Sequence, residues 1–229
     1  MLTLTATRSV EPRFTNGAAA SPLVGRIDGS ADVLSLMGAT MTFSRNEEIY
    51  GEGEPADYLY QVVSGAVRTH RVLDDGRRQI VAFYLPGDVF GMEFGDEHRC
   101  SAEAIGTVAV RVSKRSAVLA LAHRDGDVSR LILEMTAREL HRAQDHMLLL
   151  IKSAEERLAS FLIEMQARLA PRDELNLPMS RQDIADYLGL TIETVSRMFT
   201  QFENEATIRL SSSRRIVLRN RAALNRLVA

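Results

Sequence analysis

Cysteine is almost missing: Cys100 is the one thiol among 229 residues. A single thiol cannot close an intramolecular disulfide, and by itself it cannot hold an iron–sulfur cluster. A disulfide-stapled scaffold is excluded, and a reducing cytoplasm is the expected compartment. Long apolar runs are missing too. The longest, Ile80–Leu85 and Ala117–Ala122, are six residues each, whereas a membrane-spanning helix needs about 20. The start of the chain carries Arg8, Glu11 and Arg13 with no apolar block around them, which argues against an ordinary secretory signal. Acidic residues are absent from Ala206 to Ala229, a stretch with six arginines. The net charge of −2 therefore hides a tail of +6 on a remainder of −8. Such a tail suits a polyanion, although a solvated surface helix has the same composition.

What is present is ordinary for a soluble globular protein: 45% hydrophobic and 25% charged residues, long enough for one large domain or two small ones. Residues 1–30 are rich in Ala, Gly, Ser, Pro and Thr and read as a mobile N-terminal arm, with a short helix expected around Ala31–Met37. From about Thr40 to Leu121 the texture is β. Short apolar runs alternate with turn signals such as Ser64–Gly65, Asp75–Gly76 and Pro86–Asp88. Many short strands at this spacing predict an antiparallel sandwich or barrel over residues 31–125.

The period then becomes helical, with no proline before Pro171. Leu133, Ala137, Leu140, Gln144, Met147, Ile151, Ala154 and Leu158 recur at alternating steps of four and three. A narrow stripe of this kind, flanked by charge, predicts a dimer seam in which Gln144 fixes register. A helix packed on its own domain would share the period but with a broader apolar face. Ser153 and Glu156 make a capping box, predicting a break near Lys152. The expected division is a dimerisation helix over 126–152 and a separate domain over 153–229.

The strongest constellation is Ser180–Asn204, which reads as helix–turn–helix. Ser180 and Asp183 cap a helix that ends at Gly189, and Thr191 caps the next. Ala185 is the small residue where two helices can cross, and Ile184, Leu188, Leu190, Val195 and Met198 are the expected core. The second helix then exposes Glu193, Thr194, Ser196, Arg197, Thr200 and Gln201. Arginine can donate twice to guanine, glutamate can accept from cytosine N4, and serine serves either sense. Glu193 and Arg197, four apart, share one helical face; the alternative is a surface ion pair. Beyond, Ser211–Arg214 forms the tip of an expected β-hairpin wing with basic side chains for phosphate.

The order of β-roll, long helix, break and winged helix–turn–helix resembles the Crp–Fnr family of bacterial transcription regulators. The carrying stretches are Tyr60–Arg68 (YQVVSGAVR), Leu85–Gly91 (LPGDVFG) and Ser180–Arg197 (SRQDIADYLGLTIETVSR). The resemblance implies an α+β fold: an N-terminal antiparallel β-roll (a cyclic-nucleotide-binding-like jelly roll), a long dimerisation helix and a C-terminal winged helix–turn–helix. Glu193-x-x-Ser196-Arg197 resembles the Fnr/FixK branch, which reads palindromes of the type TTGAT-N4-ATCAA. It implies that Arg197 reads the guanine, Glu193 its paired cytosine and Ser196 a thymine. Ser180, Arg181, Gln182, Thr191 and Thr194 are implied phosphate contacts, joined by Arg214 and Arg215 of the wing.

The same resemblance sets a choice of effectors. An Fnr-type iron–sulfur cluster needs N-terminal cysteines, and residues 1–40 have none. Cyclic-nucleotide relatives carry Gly-Glu-Leu and, about ten residues later, Arg-Ser/Thr-Ala. Here Met92 follows Gly91, Glu93 is one slot late, and Cys100 separates Arg99 from Ser101. Haem relatives need an axial histidine, and His141 and His146 do not share a helical face. The expectation is a regulator with no cofactor and no metal, binding double-stranded DNA as a homodimer, acting with RNA polymerase and not at a membrane. Cys100 is a candidate redox handle if His98 and Arg99 lower its pKa, which Asp96 and Glu97 oppose. The rivals are a ligand-gated Crp-like regulator, a cupin-like enzyme, for which His70 and His98 are too few, and an RNA-binding dimer, for which no aromatic platform is evident.

Overall fold

The computed structural model of the chain describes residues 38–169 and 174–228. The expected arm over 1–30 and the helix around Ala31–Met37 lie outside them. Eight strands come first: β1 (Ala39–Phe43), β2 (Glu48–Tyr50), β3 (Tyr58–Ser64), β4 (Val67–Val72), β5 (Arg78–Tyr84), β6 (Val89–Phe90), β7 (Ser101–Ala104) and β8 (Val108–Lys114). They form two four-stranded antiparallel sheets, ordered β1-β8-β3-β6 and β2-β7-β4-β5. Gly65 carries the chain from one sheet to the other. Its φ is +84°, and a Cβ there would stand 2.5 Å from the Thr107 carbonyl oxygen, so only glycine fits. Val62, Val67, Ala102, Ala104, Val108 and Val110 are buried between the sheets with Tyr50, Tyr60, Tyr84 and Phe90.

The β texture ends earlier than the sequence predicts. Arg115–Ala122 is a helix, α1, rather than a last strand. Its Ala- and Leu-rich composition favours a helix, and within it only Val118 is buried. Asp125 then caps the long helix α2 (Gly126–Leu149), accepting from the amides of Asp127 at 2.9 Å and Val128 at 3.3 Å. The break falls at 150–153. The Ser153 amide donates to Glu156 at 2.7 Å and Ser153 Oγ accepts from the Glu156 amide at 3.3 Å, opening α3 (Ala154–Leu169). The expected seam stops there. Leu158 is fully buried in the C-terminal core, because the break redirects the helix before it is reached.

The C-terminal unit continues with β9 (Glu174–Asn176), α4 (Arg181–Leu188), α5 (Ile192–Asn204), β10 (Ile208–Leu210), β11 (Arg215–Leu218) and α6 (Arg221–Val228). Its sheet is three-stranded, β10-β11-β9. β9 falls in the polar stretch that follows Pro171; one apolar residue, Leu175, fully buried opposite Ile216, makes it a strand. Leu158, Phe161, Leu162, Phe199 and Phe202 form the core, which extends onto Ile80, Phe83 and Leu85 of the β-roll. Among the described residues no helix is long and apolar enough to cross a membrane.

Candidate nucleic-acid interface

Helices α4 and α5 meet through a turn that few sequences can make. Gly189 ends α4 at φ +62°, a left-handed conformation that costs a residue with a side chain about 1–2 kcal/mol. Ala185 is fully buried at the crossing. Ile184, Leu188 and Val195 are buried as expected, and Leu190 and Met198 pack against them partly exposed. Phe199 and Phe202, absent from the expected core, are as deeply buried. Their burial holds the inner face of α5, so its other face is left outward.

That face carries Glu193, Ser196, Arg197 and Thr200, all exposed. The i, i+3, i+4, i+7 spacing aligns them in one strip. Glu193 and Arg197 form no ion pair with each other or with another described residue; the Arg197 guanidinium touches only the Thr194 hydroxyl, at 3.4 Å. Its donors are thus available. Gln201 differs from expectation: its amide is turned to Glu205 at 2.9 Å and Glu155 at 3.5 Å.

The implied phosphate contacts divide. Thr191 Oγ1 accepts from the Thr194 amide at 3.2 Å, capping α5, and both threonines lie at that helix's positive end. Gln182 is exposed, with its amide on Asp186 at 2.6 Å. Ser180 is taken up in the capping box, donating to Asp183 at 2.7 Å. Arg181 is not an outward cation. Its guanidinium lies 3.1 Å from the Phe199 ring centroid, and burial brings its pKa down to about 10. Arg214 sits at the wing tip. Arg215 lies instead in β11, paired with Glu174 at 3.4 Å.

On the seam, Leu133, Leu140, Met147 and Ile151 are between 59% and 80% exposed in the single chain. Ala137 and Gln144 lie exposed between them. An apolar row left this open needs a cover.

Two models of protein families match: a Crp-like helix-turn-helix domain over residues 156–227 and a cyclic nucleotide-binding domain over 40–125. A nitrogen fixation regulation protein FixK of Azorhizobium caulinodans is 48% identical over 203 residues, 86% of this chain and 82% of that protein. The structure of FixK2 from Bradyrhizobium japonicum superposes with a TM-score of 0.82 at 54% identity, covering 84% of this chain and 98% of that one. The chain belongs to the Crp–Fnr family, in its FixK-like branch. A third relative, the transcriptional activatory protein AadR of Rhodopseudomonas palustris, is 44% identical over 171 residues, 72% of each protein. Regulators of this family bind DNA and act as dimers, and this Crp–Fnr protein is a transcription regulator rather than an enzyme.

The match to a cyclic nucleotide-binding domain raises the question of whether a cyclic nucleotide fits. Inside the β-roll, Tyr50 stacks on His98 with centroids 3.6 Å apart, and Phe90 lies 5.2 Å from Tyr60 and 5.1 Å from Tyr84. Arg99 is exposed, and Glu93 accepts from the Arg99 amide at 3.2 Å. The interior is filled with rings, and Arg99 is turned out. A cyclic nucleotide does not fit this FixK-like interior. Nor is Cys100 activated. Burial, then the Glu93 carboxylate, push its thiol up, outweighing Arg71 and Arg99. His98, whose charge was to help, is itself driven toward the neutral form by burial.

Sequence reasoning missed the groups that hold the reading head in place. Arg157 donates to the carbonyls of Leu150 (2.6 Å), Lys152 (2.8 Å) and Leu188 (2.9 Å), tying the helix break to the end of α4. Arg68 and Arg78 of the β-roll bond to Asp183 of α4, more than a hundred residues away. No local pattern announces contacts at such separation.

Proposed function

We propose that the protein is a homodimeric, sequence-specific regulator that activates genes of the low-oxygen respiration or nitrogen-fixation type. It binds TTGAT-N4-ATCAA-like palindromes without an obligatory cofactor, in the cytoplasm and together with RNA polymerase. The observation that carries this is the exposed strip on α5, with Glu193 and Arg197 unpaired, in a chain nearly half identical to a protein named FixK. Arg197 reads the guanine, Glu193 its partner cytosine and Ser196 a thymine. Thr191, Thr194, Gln182 and the Ser180 end of α4 face phosphate, with Arg214 reaching it from the wing. The apolar row on α2 supports the homodimer, and its two-fold symmetry suits a palindrome.

The test is an equilibrium titration of purified, ligand-free protein against this palindrome and a scrambled duplex. Nanomolar binding to the palindrome alone, unchanged by added cyclic AMP, is the expected result. Binding that appears only with the nucleotide would establish a ligand-gated regulator instead.

A further inference from the structure

The β-roll and the helix–turn–helix unit touch along the outer face of β4 and β5. The contact has an apolar floor, where Phe83 packs against Tyr187 with centroids 5.1 Å apart and against Phe161 at 6.3 Å. A polar set closes over it. Arg68 Nη1 donates to Asp183 Oδ1 at 3.0 Å, and Arg78 Nη2 donates to the same oxygen at 2.7 Å. Arg78 Nε donates to Asp186 Oδ2 at 2.8 Å, and Gln79 reaches the Tyr187 carbonyl at 3.4 Å. Arg68 is anchored from behind by Glu103 at 2.6 Å and by Asn46 at 3.2 Å.

These are not solvated surface pairs. The Arg68 side chain is 8% exposed and that of Asp183 5%. Buried pairs contribute little net stability compared with apolar packing, but they are directional, because a guanidinium fork admits few geometries. Asp183 is used twice. Its Oδ2 accepts from the Ser180 amide at 2.9 Å and hydroxyl at 2.7 Å, closing the first turn of α4, while Oδ1 takes both guanidiniums. Burial alone would raise this carboxyl. The Ser180 bonds and the two arginines outweigh it and hold the group ionised.

We propose that Arg68 and Arg78 are positioning residues for DNA binding. By gripping Asp183 and Asp186 they fix the angle between each reading head and the β-roll. They thereby set the separation at which the two α5 helices of a dimer enter successive major grooves. Half-site spacing must match about 34 Å, one helical turn, so a free angle forfeits spacing selectivity. The proposal rests on the homodimer and palindrome reading above.

The experiment uses Arg78→Ala, Asp186→Ala, their double variant and Arg78→Lys in the full-length protein. These leave the Asp183 cap and the buried Arg68–Glu103 pair intact. Each is titrated against palindromes with three, four and five base pairs between half-sites. The parent should prefer four. Each alanine variant should lose that preference by roughly tenfold, the double variant by no more than Arg78→Ala alone, and Arg78→Lys should restore part of it. Variants that bind more weakly overall but keep the parental ratio between spacings overturn the proposal, since a merely structural role predicts that result. Small-angle scattering of the free proteins is the second measurement. A larger radius of gyration in the alanine variants supports the latch, and equal radii overturn it. A parent with no spacing preference sinks the palindrome reading, and scattering then decides the latch alone.

Discussion

Three histidines, His70, His98 and His146, have their pKa values lowered, chiefly by burial. A base with a depressed folded-state pKa binds protons more readily when unfolded. Its neutral form stabilises the fold above the unfolded value of about 6.5, and that contribution is lost as pH falls below it. The melting temperature should therefore drop between about pH 7.5 and about pH 5. His98→Phe keeps a ring against Tyr50 and removes one titrating group, so its drop should be smaller. Circular dichroism melts at both pH values decide; an equal drop would show that His98 is not among the groups responsible. The wing arginines separate in the same way. Arg214→Ala removes two contacts per dimer and should flatten the slope of log K against log salt by about 1.8, at about 0.9 per contact. Arg215→Ala should flatten it less, because its charge is already shared with Glu174. At this scale the sequence was read well where chemistry is local. Glu193, Ser196 and Arg197 are outward as expected, whereas Arg181 folds onto Phe199, a contact that spacing alone does not announce.

Among the elements, α2 makes the plainest demand. Leu140 is 59% exposed in the middle of the apolar row. Leu140→Asp would place a charge opposite its symmetry mate in a dry seam, at a cost of several kcal/mol. Sedimentation velocity should then find monomer at micromolar concentration; a variant that stays dimeric removes α2 from the interface. Gly189→Ala should cost about 1–2 kcal/mol in denaturant melts, because alanine pays the left-handed penalty that glycine avoids. The helix–turn–helix was legible because its cap, turn glycine, crossing alanine and apolar positions lie within about two dozen residues and answer to one period. The break at Ser153 was legible for the same reason. β9 was not, since three residues with one buried leucine carry no period, and α1 was not, since a six-residue apolar run fits strand and helix alike.

In the whole molecule, the β-roll that gives relatives a nucleotide pocket is filled with aromatic rings, and its outer face grips the reading head instead. Contacts such as Arg78–Asp186 join residues 108 apart, so they are visible only once the fold is known. On the proposed function, two such heads read a palindrome through Arg197. Arg197→Lys keeps the charge and loses the two-pronged fork. The direct measurement is a titration of parent and Arg197→Lys, both ligand-free, against the palindrome and against a copy with each half-site guanine changed to adenine. The expected result is a loss of about 1–3 kcal/mol per half-site on the palindrome, little change on scrambled DNA, and a matching collapse of the discrimination between the two operators. An Arg197→Lys protein that rejects the altered operator as strongly as the parent would contradict it.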